Sequence, residues 1–137
     1  MKGEMLALIA AILWGIAPIL DKYALQEMPT YPAIVIRALG GLIAILAISF
    51  ALGEAEYKLS RSILLLLISG AISGAFGMVF YFEALKSIGA SRAVPITAIY
   101  PMFTAVISFL LLSEAISARV VLGIVLIILG VILVSEV

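Results

Sequence analysis

Few side chains in this sequence have the chemistry to bind or carry anything, and most of them sit inside or at the ends of long apolar runs. Arg37 stands alone in such a run, Glu83 precedes Lys86 by three residues, and Asp21 adjoins Lys22. An arginine at the centre of a bilayer costs about 2.5–3.5 kcal/mol on insertion scales, and less toward the ends. A guanidinium there suits an anionic substrate group or a carboxylate partner if it faces a wet cavity. The alternative is that its long stem snorkels to the headgroups. Glu83 and Lys86 share a helix face at a spacing of three. An intramembrane glutamate has the chemistry of a proton relay, and a surface ion pair is the plainer alternative. Both alternatives extend to Asp21 and Lys22.

Trp14 lies near the middle of the first run rather than at an interface, where tryptophan ordinarily anchors. Gly15 and Pro18 follow closely enough to loosen that helix. Pro95 and Pro101 invite the same expectation in the fourth run, where Thr97 and Tyr100 supply hydroxyls. Discontinuous helices at membrane depth often border substrate sites; ordinary packing around a bend is the alternative.

What is missing excludes other functions. Histidine and cysteine are absent, so thiol nucleophiles, imidazole bases and the usual zinc ligands are unavailable. No carboxylate cluster or metal-spaced motif occurs, and an enzyme, a resident cofactor and a bound metal are not expected. Net charge is zero and no basic cluster exists, which argues against nucleic acid as a partner.

The elements that must hold these residues are membrane helices. The 137 residues are 66% hydrophobic and 12% charged, about half the charge of an ordinary domain, which is roughly a quarter. With so little polar surface, most of the exterior must face lipid. Five runs near the roughly 20 residues needed to cross a bilayer are expected at 5–25, 32–52, 63–85, 93–112 and 118–134. They are long, unalternating and rich in leucine and isoleucine, unlike barrel strands. The expected fold is an all-α integral membrane protein in a single domain. Lys2 and the run 5–13 have the outline of a signal peptide, but Trp14-Gly15 and Pro18 stand where a small-residue cleavage site would be, so a retained span is expected.

The joint 26–32 holds Pro29 and Pro32, which break helices. The stretch 53–61 is the most polar, and Ser117 is placed to cap the last helix. In the third run Gly70/Gly74 and Ser73/Gly77 are small residues four apart, a face that lets another backbone approach, within or between subunits. Gly123 and Gly130 mark a second such face and a candidate dimer contact.

Five spans put the termini on opposite sides. One side collects Lys2, Lys58, Arg61 and Arg119; the other collects Lys22, Lys86 and Arg92, and Arg37 if it reaches toward its near end. Orientation follows an excess of Lys and Arg on one side, and here there is almost none. Either other signals set one orientation, or the chain inserts both ways and pairs antiparallel with itself.

From Tyr81 to Ile96 the sequence resembles the Y-x-x-A-L-x-x-x-x-A-S-x-A-x-P-I stretch of EamA-type members of the drug/metabolite transporter superfamily. Pro101, Leu112-Ser113-Glu114, Gly123 and Gly130-Val131 continue the pattern. Trp14-Gly15 with Lys22 downstream, and Arg37 in the second run, extend it to the whole chain. Typical members carry two five-helix repeats, the second inverted. The resemblance therefore implies one half of an inverted-repeat transporter, completed by an antiparallel second copy. It implies a multi-pass cell-membrane protein that moves small metabolites or drugs, as a proton-coupled exporter. Trp14, Arg37, Tyr81, Glu83, Thr97 and Tyr100 are the expected substrate-lining residues, and the expected partners are the bilayer, a small-molecule substrate and the second copy. A non-catalytic membrane subunit paired with a different protein is the alternative.

Overall fold

A computed structural model describes residues 3–54 and 61–135. Lys2 and Lys58, used above in counting charge, lie outside the described residues, as does most of the polar stretch 53–61. The helices are α1 (Gly3–Glu27), α2 (Thr30–Ala51), α3 (Arg61–Gly70), a π-helical segment (Ala71–Phe76), α4 (Gly77–Ile88), α5 (Ala90–Thr97), α6 (Tyr100–Leu112) and α7 (Ala118–Ser135). Among the described residues, five helical stretches are long and apolar enough to cross a membrane: Gly3–Glu27, Thr30–Ala51, Ser62–Ile88, Ala90–Leu112 and Ala118–Ser135. The fold is that of an all-α membrane protein, as the composition requires.

Two of the joints are shorter than the sequence suggests, and each has a local cause. Pro29 caps α2 in an extended conformation, and Pro32 falls in the first turn, where its missing N–H is one the helix leaves unpaired anyway. The first helical bond there runs from Ala33 N–H to Pro29 C=O at 3.2 Å. The expected joint 86–92 shrinks to Gly89, whose φ of 77° and ψ of 166° belong to a region open essentially to glycine alone. Ser117 caps α7 as expected: its hydroxyl accepts from Val120 N–H at 3.4 Å and its carbonyl from Val121 N–H at 3.1 Å.

The two proline segments behave differently. α1 runs unbroken through Gly15 and Pro18, although Pro18 has no N–H to give the Trp14 carbonyl; transmembrane helices tolerate proline where other groups satisfy the freed backbone. The fourth span does break, at Ala98-Ile99 between α5 and α6. Pro101 has no N–H to give the Thr97 carbonyl, and the chain tightens, with Ala98 N–H bonding the Val94 and Pro95 carbonyls and Met102 N–H bonding that of Ile99. In the third span the stretch read as a packing face is π-helical. Gly77 N–H bonds the Ile72 carbonyl five residues back, and a Cβ on Gly77 would sit 3.3 Å from that same oxygen. Glycine accommodates the wide turn where a larger residue must push against it.

The chain groups into two units. One holds residues 3–18 and 88–135, the other 19–54 and 61–87. In the first, α5 packs on α7, burying Ala93 and Val131, and Arg92 Nη2 donates to the Ser135 carbonyl at 3.0 Å. In the second, Leu25, Ala33, Ile34, Phe82 and Leu85 form the core. These lie where α1 ends, α2 begins and α4 ends, so burial gathers at one end of the three helices. Most other large apolar side chains face outward. In water this would be a fault; in a bilayer it is the lipid-facing or partner-facing surface.

Candidate functional site

The end of the second unit is also where its charges meet. Asp21 sits six residues before the end of α1, and Arg37 seven residues into α2. At about 1.5 Å rise per residue both lie roughly 10 Å inside their helices. Arg37 Nε pairs with Asp21 Oδ2 at 3.3 Å. The carboxylate is largely enclosed, 12% exposed, while the guanidinium is 44% exposed. Arg37 Nη1 also points at the Met78 thioether sulfur on α4, 3.8 Å away. Tyr81, one turn further along α4, lies within electrostatic reach of both Asp21 and Arg37, and its ring tilts against the buried Phe82 at 6.1 Å between centroids.

A second layer lies nearer the helix ends. Thr30, in the first turn of α2, is 4% exposed. Its hydroxyl donates to Glu83 and accepts from Lys86, both on α4. Lys86 Nζ also stands 3.8 Å from Glu83 Oε1, the pair anticipated from their spacing. Lys22 Nζ on α1 donates to the Leu85 carbonyl at 2.6 Å and the Lys86 carbonyl at 3.4 Å. A cation thus meets the carbonyls at the end of α4, where the helix dipole is negative. α1, α2 and α4 are tied to one another by polar contacts over two levels.

Thr30→Val keeps the shape of the side chain and removes its hydroxyl. It is expected to lower stability in detergent by about 1–2 kcal/mol, since it strips a shared partner from two charged groups. The measurement is the thermal unfolding midpoint beside that of the parent protein; an unchanged midpoint would show that the network is incidental.

Of the residues expected to line a substrate path, Arg37, Tyr81 and Glu83 are brought together in this unit. Trp14, Thr97 and Tyr100 belong to the other unit. Trp14 is 67% exposed on the outside of α1. The Thr97 hydroxyl bonds the Val94 carbonyl at 2.8 Å, on its own helix. Tyr100 lines a shallow groove of about 370 Å³ with Pro101, Thr104, Ser108, Glu114 and Val120.

Sequence reasoning left Asp21 and Thr30 out of the site. Asp21 adjoins Lys22 in the chain, yet its partner is Arg37. Its signal was present: Asp21 and Arg37 each stand eight residues from Pro29, the turn between the first two helices (29 − 21 = 37 − 29). In a helical hairpin, residues equidistant from the turn lie at the same depth. Thr30 carries no comparable signal, because a threonine beside two prolines reads as part of a loop. Among the described residues no group of three or more acidic, histidine or cysteine side chains is placed to hold a metal.

The model of the EamA-like transporter family matches residues 1–136. An uncharacterized transporter of Clostridium kluyveri is 32% identical over 93% of this chain, and the uncharacterized transporter YoaV of Bacillus subtilis is 30% identical over 94%. The chain spans 42% and 45% of the length of those two relatives. An uncharacterized protein of Methanocaldococcus jannaschii is 29% identical over 96% of the chain and is covered over 94% of its own length. No solved structure matches. The family model matches nearly every residue, and this chain belongs to the EamA-like transporter family.

Proposed function

We propose that this chain is one half of a proton-coupled exporter of small metabolites or drugs in the cell membrane, completed by a second copy in antiparallel orientation. The observation that carries the transport function is the Asp21–Arg37 pair, an expensive feature to keep inside a membrane helix and one that ordinarily marks a substrate or ion path. Asp21 and Glu83 supply carboxyls for a proton relay, and both are wired to cations and to other helices.

Dimerisation has separate support. Two transporter relatives are about twice as long as this chain, since it spans 42% and 45% of them, so a doubled unit is the arrangement they suggest. An odd number of spans per unit inverts the second unit in a fused chain. Two free copies reproduce that inversion only by inserting both ways, which a balanced charge count permits. The faces available for the contact are the small-residue ones: a Cβ built on Gly70, Gly74, Gly123 or Gly130 meets nothing within 4 Å. A site between inverted repeats that rock against each other is the general design of such transporters.

The test is flux. The purified chain, verified as a dimer and reconstituted in liposomes, is expected to acidify or alkalinise the lumen when a transported compound is supplied across a proton gradient. Glu83→Gln is expected to uncouple the two flows. Absence of both substrate and proton flux from a verified dimer would remove the proposal in favour of a subunit that needs a different partner.

A further inference from the structure

We propose that the guanidinium of Arg37 docks an oxyanion on the transported molecule, so that the substrates are small organic anions rather than lipophilic cations. This rests on the transporter function proposed above and names the class of compound that the same site takes.

The exposures of the ion pair decide its polarity. Asp21 is 12% exposed and Arg37 is 44% exposed, so a molecule arriving at the pair meets the cation first and finds the carboxylate behind it. A site for a lipophilic cation needs the reverse arrangement. The other carboxylate of the cluster, Glu83, is well exposed but already held by Lys86 and the Thr30 hydroxyl. The cations differ in the same way. Lys22 is committed to the two carbonyls at the end of α4, and Lys86 to Glu83 and Thr30.

Arg37 is also under-supplied with acceptors. A guanidinium has five N–H donors. Here Nε faces Asp21 and Nη1 faces the Met78 sulfur at 3.8 Å. Among the described residues no oxygen accepts a hydrogen bond from either terminal nitrogen. A thioether is a weak acceptor on a flexible stem, and it gives way at little cost to a better one. Leaving these donors to lipid, roughly 10 Å into the helix, is unfavourable. The two terminal nitrogens present a fork that matches a carboxylate, phosphate or sulfonate, and such charge-assisted pairs are the strong ones.

The test uses two probes with the same ring and permanent charges of opposite sign, benzenesulfonate and phenyltrimethylammonium. Uptake of each into liposomes holding the full chain is measured against protein-free liposomes. Protein-dependent uptake of benzenesulfonate, and not of phenyltrimethylammonium, is expected. Arg37→Lys keeps the charge but loses the fork, and is expected to raise the half-saturating benzenesulfonate concentration about tenfold. The double variant Asp21→Asn/Arg37→Gln removes both charges together, so that neither is stranded, and is expected to abolish the uptake. Preference for phenyltrimethylammonium, or benzenesulfonate uptake undiminished in the double variant, overturns the proposal while leaving transport standing. Uptake of neither probe also overturns the proposal, and leaves transport to the flux measurement above.

Discussion

Arg37→Gln is expected to destabilise the protein by about 1–3 kcal/mol, and to lower the amount recovered as a monodisperse species, because it leaves a largely enclosed carboxylate without its cation. Asp21 is 12% exposed, and its charge is met by Arg37 at 3.3 Å. Removing one member of an enclosed pair costs far more than removing both, since the survivor keeps its desolvation penalty and loses its compensation. Asp21→Asn/Arg37→Gln is therefore expected to recover most of the lost stability. Thermal midpoints in detergent for the parent, the two single variants and the double variant close the cycle. A double variant no more stable than Arg37→Gln would show that the two side chains act independently.

Gly89→Ala is the second large effect. Gly89, the single residue between α4 and α5, has φ of 77° and ψ of 166°, and a side chain there is strained however much space surrounds it. The expected loss is about 1–3 kcal/mol, read as a lower midpoint and greater protease sensitivity near the turn. A Cβ on Gly89 meets no atom within 4 Å, so crowding does not explain the effect if it appears. An unaltered midpoint would mean that the turn rearranges freely and that Gly89 is incidental.

Much of the fold was legible because the bilayer imposes length and polarity on each helix at once. All five spans were placed by their apolar runs, and Ser117 by its position before the last one. The boundaries moved where proline and glycine act locally. Thr30 and Pro32 belong to α2 because a first turn accepts proline, and 86–88 remain helical because Gly89 makes the whole turn. Pro18 and Pro101 gave two outcomes from one residue type: α1 continues through its proline, whereas at Pro101 the missing N–H goes with a chain tightened at 98–99. The π-helical segment was seen only as a run of small residues. Small side chains permit either a close helix contact or a widened turn, and spacing does not separate the two.

The site was half legible. The Glu83–Lys86 pair follows from a spacing of three on one helix. The Asp21–Arg37 pair joins two helices, and finding it requires matching depth across the hairpin at Pro29 rather than reading neighbours along the chain. Thr30 acts through tertiary burial, which no local pattern announces.

The central claim is that two copies of this chain meet upside down, and the sidedness of the termini tests it most directly. The sequence contains no cysteine, so a single cysteine placed near either end reports without background when labelled by a membrane-impermeant maleimide in intact cells and in inverted vesicles. The expected result is comparable labelling of each terminus from both faces. Labelling of every copy from one face alone would contradict the antiparallel homodimer and require an oppositely oriented partner of different sequence.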